Sequence, residues 1–435
     1  MKPVRIALLG CGTVGGGVVK LLHRNAAIYA RKLGAPLELA GVAELRPEAA
    51  RRLGVPGKVI TRDANELVLR PGIDIVVELF GGYEPARTML LKAIGAGKDV
   101  VTANKAMLAK HGAEIFKAAA ARGLAVGFEA SVGGGIPIIR TLREALAGDR
   151  QRAVYGIVNG TCNSILTTMS ETGIEFADAL ADAQKNGLAE ANPALDIEGH
   201  DSAHKLCLLV ALSFGAMISP AQVHTEGITR VTQADIAYAR ELGYAIKLLA
   251  IAKEDDGVIE ARVHPTMIPQ RHLLAGVGGA YNAIYIHGEA LGSTMYSGLG
   301  AGQMPTATAI VADILDIARH RRAGSAARAP ALGLPLGHVK RAKVKPMGEV
   351  VCEYYLRFAA RDKPGVLGAI ASVLGDSGLS IASVIQKGRA AARTVPVIMR
   401  THEAPERNLK RALEAIARKK IVQAPPVFIR IEDRL

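Results

Sequence analysis

Residues 4–22 read VRIALLGCGTVGGGVVKLL. An apolar run, Val4–Leu9, meets glycines at once, and Val14, Val18, Leu21 and Leu22 then recur at helical spacing. The turn between them contains Gly10-x-Gly12-x-x-Gly15. In a strand–turn–helix unit the first glycine permits a tight turn, the second lets a pyrophosphate approach the backbone, and the third lets helix and strand pack closely. The helix N-terminus adds N–H groups and partial positive charge for phosphates. This stretch therefore predicts a dinucleotide-binding turn, with Gly10, Gly12, Thr13, Val14 and Gly15 as candidate cofactor contacts.

Further apolar runs follow at Leu37–Ala43, Ile73–Leu79, Val100–Thr102 and Leu124–Phe128, with helical patterns such as Ala86–Ala96 and Ala106–Ala121 between them. Continuous apolar strands alternating with helices imply a parallel sheet covered on both faces. The second strand ends at Glu44, which suits a free ribose 2′-hydroxyl and hence NAD; Arg46, two residues on, suits the 2′-phosphate of NADP, so both cofactors stay open. The middle of the chain mixes strands near 154–158, 259–263 and 283–287 with helices near 176–186, 201–217 and 233–252, an α+β pattern. Residues 320–348 lack periodicity and read as a linker or strap. The remainder follows the order βαββαβ of a small ferredoxin-like domain. The fold class expected is α/β, with a Rossmann-type domain at 1–130 completed by about 301–320, an α+β domain at 131–300, a linker at 321–348 and the ferredoxin-like domain at 349–435.

The 435 residues carry 49% hydrophobic and 22% charged side chains, as soluble globular proteins do. With no Trp and 4% aromatics, stacking platforms for single-stranded nucleic acid are not expected. The longest apolar run, Leu206–Ile218, is shorter than the roughly 20 residues of a membrane span. Four cysteines without CxxC spacing fit a reducing compartment, and a cytoplasmic location is expected. The net charge of +14 resides entirely in residues 319–435, where 23 Lys+Arg face 9 Asp+Glu (23 − 9 = 14), and reads as a solvated basic face.

Two lysines stand out. Lys105, in VTANKA, follows the carboxyl end of a buried strand, where ligands of open α/β sheets sit. Lys205 lies four residues after Asp201 at the start of an otherwise apolar helix, so the two share a face that leads inward. A buried, paired ammonium is suited to proton transfer. The competing reading is a surface ion pair of little consequence. His200 and His204 share the i,i+4 spacing of zinc helices but lack a third ligand, and Cys162 in NGTCNS reads as a small buried residue or as a thiol nucleophile.

The chain resembles homoserine dehydrogenase through GCGTVGGG, VTANKA, EASVGGGIPII, GIVNGTCNSIL, GLAEANPALDIEGHDSAHKL and GLGAGQMPTATA, in this order. The resemblance implies reversible NAD(P)-dependent reduction of L-aspartate 4-semialdehyde to L-homoserine, on the route to threonine, methionine and isoleucine. It implies Lys205 as proton donor, Asp201 as its companion, Glu190 and Asp196 as substrate-binding acids, and Lys105 touching cofactor and substrate. Gly187 and Gly302 fall where the family approaches the cofactor, and Glu129, Val132, Gly134 and Ile136 match a monovalent cation (Na+) site.

RDKPGVLGAIASVLGDSGLSIASVIQKG, from Arg361, resembles the ACT domain, with a turn at Asp362, Pro364 and Gly365 entering a helix that ends at Gly378. In this family it implies feedback by threonine and a homo-oligomer, dimer or tetramer. A purely structural pairing module is the alternative, and an amino-acid sensor with an inactive body, or an acylating dehydrogenase using Cys162, are the competing functions. Removing residues after about 349 is expected to spare catalysis while abolishing an effector response.

Overall fold

Six short parallel strands build the first sheet: β1 (Val4–Leu9), β2 (Leu37–Ala43), β3 (Ile60–Thr61), β4 (Ile75–Glu78), β5 (Asp99–Thr102) and β6 (Val126–Gly127). Their spatial order is β3-β2-β1-β4-β5-β6, so the winding reverses between β1 and β4. A ligand crevice opens outside the carboxyl ends of the strands at such a reversal. The computed structural model describes residues 2–325, 329–387 and 394–435. Two compact units emerge: Met1–Gly160 with Asp201–Val223 and Tyr281–Ala342, and Thr161–His200 with His224–Ala280 and Lys343–Leu435.

In the first unit, helix α1 (Thr13–Arg24) covers the sheet and packs closely on the Gln303–Arg322 helix. The closeness depends on Gly17, where an added Cβ would lie 2.7 Å from the Gln303 carbonyl oxygen and 2.9 Å from the Ala307 Cβ. Ile6, Leu8, Val18, Val42, Val77, Ile310 and Ile314 form the buried core between these layers. A second, antiparallel sheet joins β7 (Gln151–Ile157) to strands Tyr281–Gly288 and Gly292–Leu299. The last of these, in small and polar residues, went unread in the sequence. The His200–Phe214 helix is buried along nearly its whole length.

The second unit holds a sheet in which the strands Tyr244–Asp255, Val258–Pro269, Val427–Ile431, Val351–Arg361, Thr394–Thr401 and Ile381–Gln386 lie in that spatial order. The last four, with helices Val366–Asp376 and Glu406–Arg418, are the βαββαβ module in ferredoxin-like order, closed over a core of Tyr354, Leu356, Phe358, Leu374, Met399 and Leu409. Val427–Ile431 also pairs in parallel with Val258–Pro269, through Thr266–Arg430 and Met267–Ile431.

The helix expected over 233–252 ends at Glu241, and Gly243, at φ +85°, turns the chain into the strand Tyr244–Asp255. That strand is buried on both faces, so YAIKLLAIA shows no alternation, and a short apolar run of this kind reads equally as helix or strand. The expected linker carries structure: the helix runs to Arg322, Lys340–Arg341 pairs with Ala216–Met217, and Lys343–Val344 pairs with Val258–Ile259. Of the basic segment KGRAAART, from Lys387, residues 388–393 lie outside the described residues.

The basic excess is only partly a solvated face. Arg430 is 1% exposed and is held by Glu226 and Glu406, Arg357 pairs with the fully buried Asp235, and Arg321 pairs with Asp99 and Asp74.

Candidate active site

The glycine turn has the geometry its sequence predicts. Gly10 adopts φ +93°, and a Cβ there would meet the Leu79 carbonyl oxygen at 3.0 Å. At Gly15 a Cβ would stand 2.2 Å from the Gly10 oxygen, which forces glycine where helix meets turn. At Gly12 the same atom would meet nothing within 4 Å, so the backbone is open to a ligand there. No side chain caps α1, which leaves the N–H groups of Thr13 and Val14 at the helix mouth for an anion. Gln303 fastens this mouth, donating to the Thr13 carbonyl at 2.8 Å and accepting from Lys20 at 2.9 Å, and Gly302 enters its helix at φ +110°.

Glu44 directly follows β2, beside the turn. Its carboxylate accepts the N–H of Cys11 at 2.8 Å and of Arg46 at 2.9 Å. Burial, with Glu44 nearby, pushes the Cys11 thiol up to about 11. Arg46 itself is exposed.

At the end of β4 stands a carboxylate that the sequence did not flag. Glu78 is fully buried; it accepts the Thr102 hydroxyl at 2.6 Å and the Phe80 N–H at 2.7 Å. Burial raises its pKa against these bonds. Thr102 in turn accepts the Asn104 N–H, and Asn104 caps the Lys105–Ala120 helix through the Met107 N–H. Lys105 is thereby fixed at the first turn of that helix.

Lys105 meets Asp201 at 3.2 Å, on Oδ1. The other oxygen, Oδ2, accepts from Lys205 Nζ at 2.7 Å and from Asn159 Nδ2 at 2.9 Å. Lys205 also donates to the Val158 carbonyl at 2.6 Å. The side chains of Lys205 and Asp201 are 11% and 5% exposed, so this is no surface ion pair. Burial alone would raise the Asp201 pKa, but the charges of Lys205 and Lys105, with bonds from Lys205 and Asn159, hold it well below the usual carboxylate range. An ionised acid thus bridges two ammonium groups, one nearly buried and one a third exposed.

Glu129 is buried, and its two oxygens accept the N–H groups of Ile139 and Arg140 at 2.8 and 2.9 Å. The Ile136 carbonyl accepts the Ile138 N–H at 2.8 Å, and Gly134, at φ +51°, lies against Gly300. Among the described residues no group of three His, Cys, Asp or Glu is placed to hold a metal.

Glu190, Asp196 and Gly187 belong to the second unit. Gly187 turns at φ +70°, Glu190 is exposed, and its carbonyl accepts from Gln184 at 3.0 Å. Asp196 lies in the short Ala194–Ile197 helix, and its carbonyl accepts the Cys162 thiol at 3.2 Å. Cys162 is wholly buried, so it fastens this helix and has no exposure with which to act as a nucleophile.

Three family profiles match: the homoserine dehydrogenase NAD-binding domain over residues 10–129, homoserine dehydrogenase over 137–315, and the ACT domain over 354–418. A homoserine dehydrogenase of Neisseria gonorrhoeae is 46% identical over 433 residues, covering 100% of this chain and 99% of its own. The chain belongs to the homoserine dehydrogenase family. A crystal structure of a homoserine dehydrogenase from Thiobacillus denitrificans superposes with a TM-score of 0.94 at 46% identity, covering 100% of this chain and 99% of that one. A hyperthermophilic archaeal homoserine dehydrogenase in complex with NADPH has a TM-score of 0.63 at 27% identity, over 73% of this chain and 98% of its own. Homoserine dehydrogenase is an NAD(P)-dependent oxidoreductase of amino-acid biosynthesis, and the glycine turn described above fits such a cofactor. Among the described residues no helix is long and apolar enough to cross a membrane.

Proposed function

We propose that the chain catalyses reversible reduction of L-aspartate 4-semialdehyde to L-homoserine, with Lys205 as the proton donor. The observation that carries this reading is the buried Lys205–Asp201 pair, which Lys105 joins from a partly exposed side. When bound, the dinucleotide supplies the hydride. Gly10, Gly12, Thr13, Val14 and Gly15 would cradle its pyrophosphate, with Gly187 and Gly302 as further backbone approaches. The aldehyde oxygen gains negative charge as its carbon is reduced, and the Lys205 ammonium both stabilises that charge and delivers a proton. Lys105 presents a second positive charge from the other side of Asp201. Glu190, Asp196 and Asp201 would receive the substrate's α-ammonium through charge-assisted bonds.

Glu44 would accept from the ribose hydroxyls, favouring NAD, while Arg46 is exposed where a 2′-phosphate would need it. A sodium ion in this loop would be held by Glu129, Val132, Gly134 and Ile136, mostly through backbone carbonyls, each of which keeps a lone pair beyond any hydrogen bond it accepts. The domain division runs 1–130 with 301–320, 131–300, 321–348 and 349–435. The close packing of the Gln303–Arg322 helix on α1 supports the first of these. The ACT module would bind threonine as a feedback effector, and the working form is a cytoplasmic homo-oligomer, dimer or tetramer.

Nicotinamide absorbance with homoserine, with each cofactor and with and without threonine, tests these assignments together. Lys205→Ala should lower kcat by roughly 10²–10⁴-fold while the cofactor still binds. A variant with normal kcat would refute the proton-donor role. Light scattering settles the assembly, and a rate indifferent to threonine removes it as effector.

A further inference from the structure

β7 ends at Ile157, and the next two residues each touch the ion pair in a different way. Val158 offers its carbonyl to the Lys205 ammonium at 2.6 Å, and Asn159 offers its side-chain N–H to Asp201 Oδ2 at 2.9 Å. Asn159 is 5% exposed, so its amide lies in the same dry environment as the pair. We propose that Asn159 is a positioning residue for proton transfer: its amide fixes the rotation of the Asp201 carboxylate, which holds Lys205 against the Val158 carbonyl. The proposal rests on the assignment of Lys205 as proton donor.

A lysine ammonium has three N–H donors and can turn freely about its last bond. Bonds to the Val158 carbonyl and to Asp201 Oδ2 use two of them and stop the rotation. One N–H is left, with a fixed direction, for an oxygen that is gaining charge. That direction depends on where Oδ2 stands. Oδ1 is drawn to Lys105 at 3.2 Å, a long contact to a lysine that is a third exposed and therefore a loose guide. Asn159 supplies the second fixed point. The residue type also matters. An amide donates a hydrogen bond without bringing a charge, whereas a carboxylate at 159 would repel Asp201 unless one of the two held a proton. The charged groups that bear most on this point are Asp201 itself, Lys205 on the same helix, and Lys105 at the start of the Lys105–Ala120 helix.

Full-length wild type, Asn159→Ala, Asn159→Asp and Lys205→Ala would be compared by steady-state nicotinamide absorbance from about pH 5 to about pH 9. Asn159→Ala should lower kcat by roughly tenfold to a hundredfold, the scale of a small misplacement, with the KM for the cofactor unchanged. Asn159→Asp provides the sharper readout. Beside Asp201 the introduced carboxyl should keep its proton to higher pH than usual, and in that form it donates as the amide does. Its kcat relative to wild type should be near one at the acid end and fall as pH rises through that titration. A flat ratio across the range, or an Asn159→Ala enzyme with wild-type kcat, would overturn the inference. If Lys205→Ala kept its activity, the proton-donor assignment would fail and take this proposal with it. If only the Asn159 variants behaved as wild type, the positioning role alone would be wrong.

Discussion

Glu44 shows how much one carboxylate decides at the residue scale. It is held by two backbone N–H groups, one from the glycine turn itself, so its carboxylate is fixed beside that turn. On the proposed reading, an acid fixed there would accept ribose hydroxyls and repel a 2′-phosphate, a like-charge contact worth on the order of a few kcal/mol near a protein surface. Glu44→Ala should therefore raise kcat/KM for NADP relative to NAD by roughly tenfold or more. An unchanged ratio would mean that discrimination lies elsewhere, Arg46 being the next residue to vary. The place of Glu44, just past a strand that follows a glycine turn, was legible in the sequence. Asp201 and Lys205 were legible because four residues on a helix share a face. Asn159 and Glu78 were not, since no spacing rule links residue 159 to 201 or residue 78 to 102. Only the folded chain brings them together.

At the scale of elements, Gly17 and Asp313 each join segments far apart in the chain. The third consecutive glycine of GCGTVGGG is a packing device: a methyl group there would press on the backbone of the Gln303–Arg322 helix. Gly17→Ala should destabilise by about 1–3 kcal/mol, seen as a lower melting temperature with little change in cofactor KM. Equal melting temperatures would show that the two helices can part without cost. Asp313, on that same helix, accepts the Glu129 N–H at 2.9 Å; burial, with Glu129 beside it, pushes its pKa up to about 7, against the pull of Arg140 and Arg143. The unfolded chain releases this proton near 3.8 and the folded chain near 7, so between those values the native state holds the extra proton and rising pH works against folding. Asp313→Asn keeps the acceptor and removes the titration. Wild type should lose melting temperature relative to this variant from about pH 4 to about pH 7, and parallel curves would contradict the burial argument. The strand at Tyr244–Asp255 marks where element-level reading stops. Burial on both faces erases alternation, so neighbours rather than periodicity decide its conformation.

Across the second unit, the Val427–Ile431 strand belongs to two structures. It completes the ACT module and it pairs with Val258–Pro269. Just beyond it, Glu432 binds the fully buried Arg262 and accepts from Lys253 at 2.7 Å, while Arg262 also bonds Glu260. The sequence alone suggests a cut near 349 that spares catalysis. The pairing shows that this cut would strip Val258–Pro269 of a neighbour and leave Arg262 with one fewer counter-charge. A chain ending at 349 should unfold at lower temperature and lose activity, and Glu432→Gln in the full chain should cost about 3 kcal/mol or more. A truncated enzyme as stable as the whole would show that the sheet closes without this strand. The βαββαβ order was readable because Pro364, Gly365 and Gly378 bracket the first helix, Pro405 opens the second and Pro426 precedes the last strand. The shared strand was not, because nothing in PPVFIRI names its second partner.

The same strand sets a schedule for synthesis. At roughly 5–20 residues per second, the chain between Pro269 and Val427 takes on the order of ten seconds to leave the ribosome. Throughout that interval Arg262 waits without Glu432, and the Val258–Pro269 strand lacks its partner across Thr266 and Met267. A nascent chain of this kind carries an open strand edge that other nascent chains can meet. Slower elongation through residues 270–426 should therefore lower the yield of active enzyme even when every amino acid is unchanged.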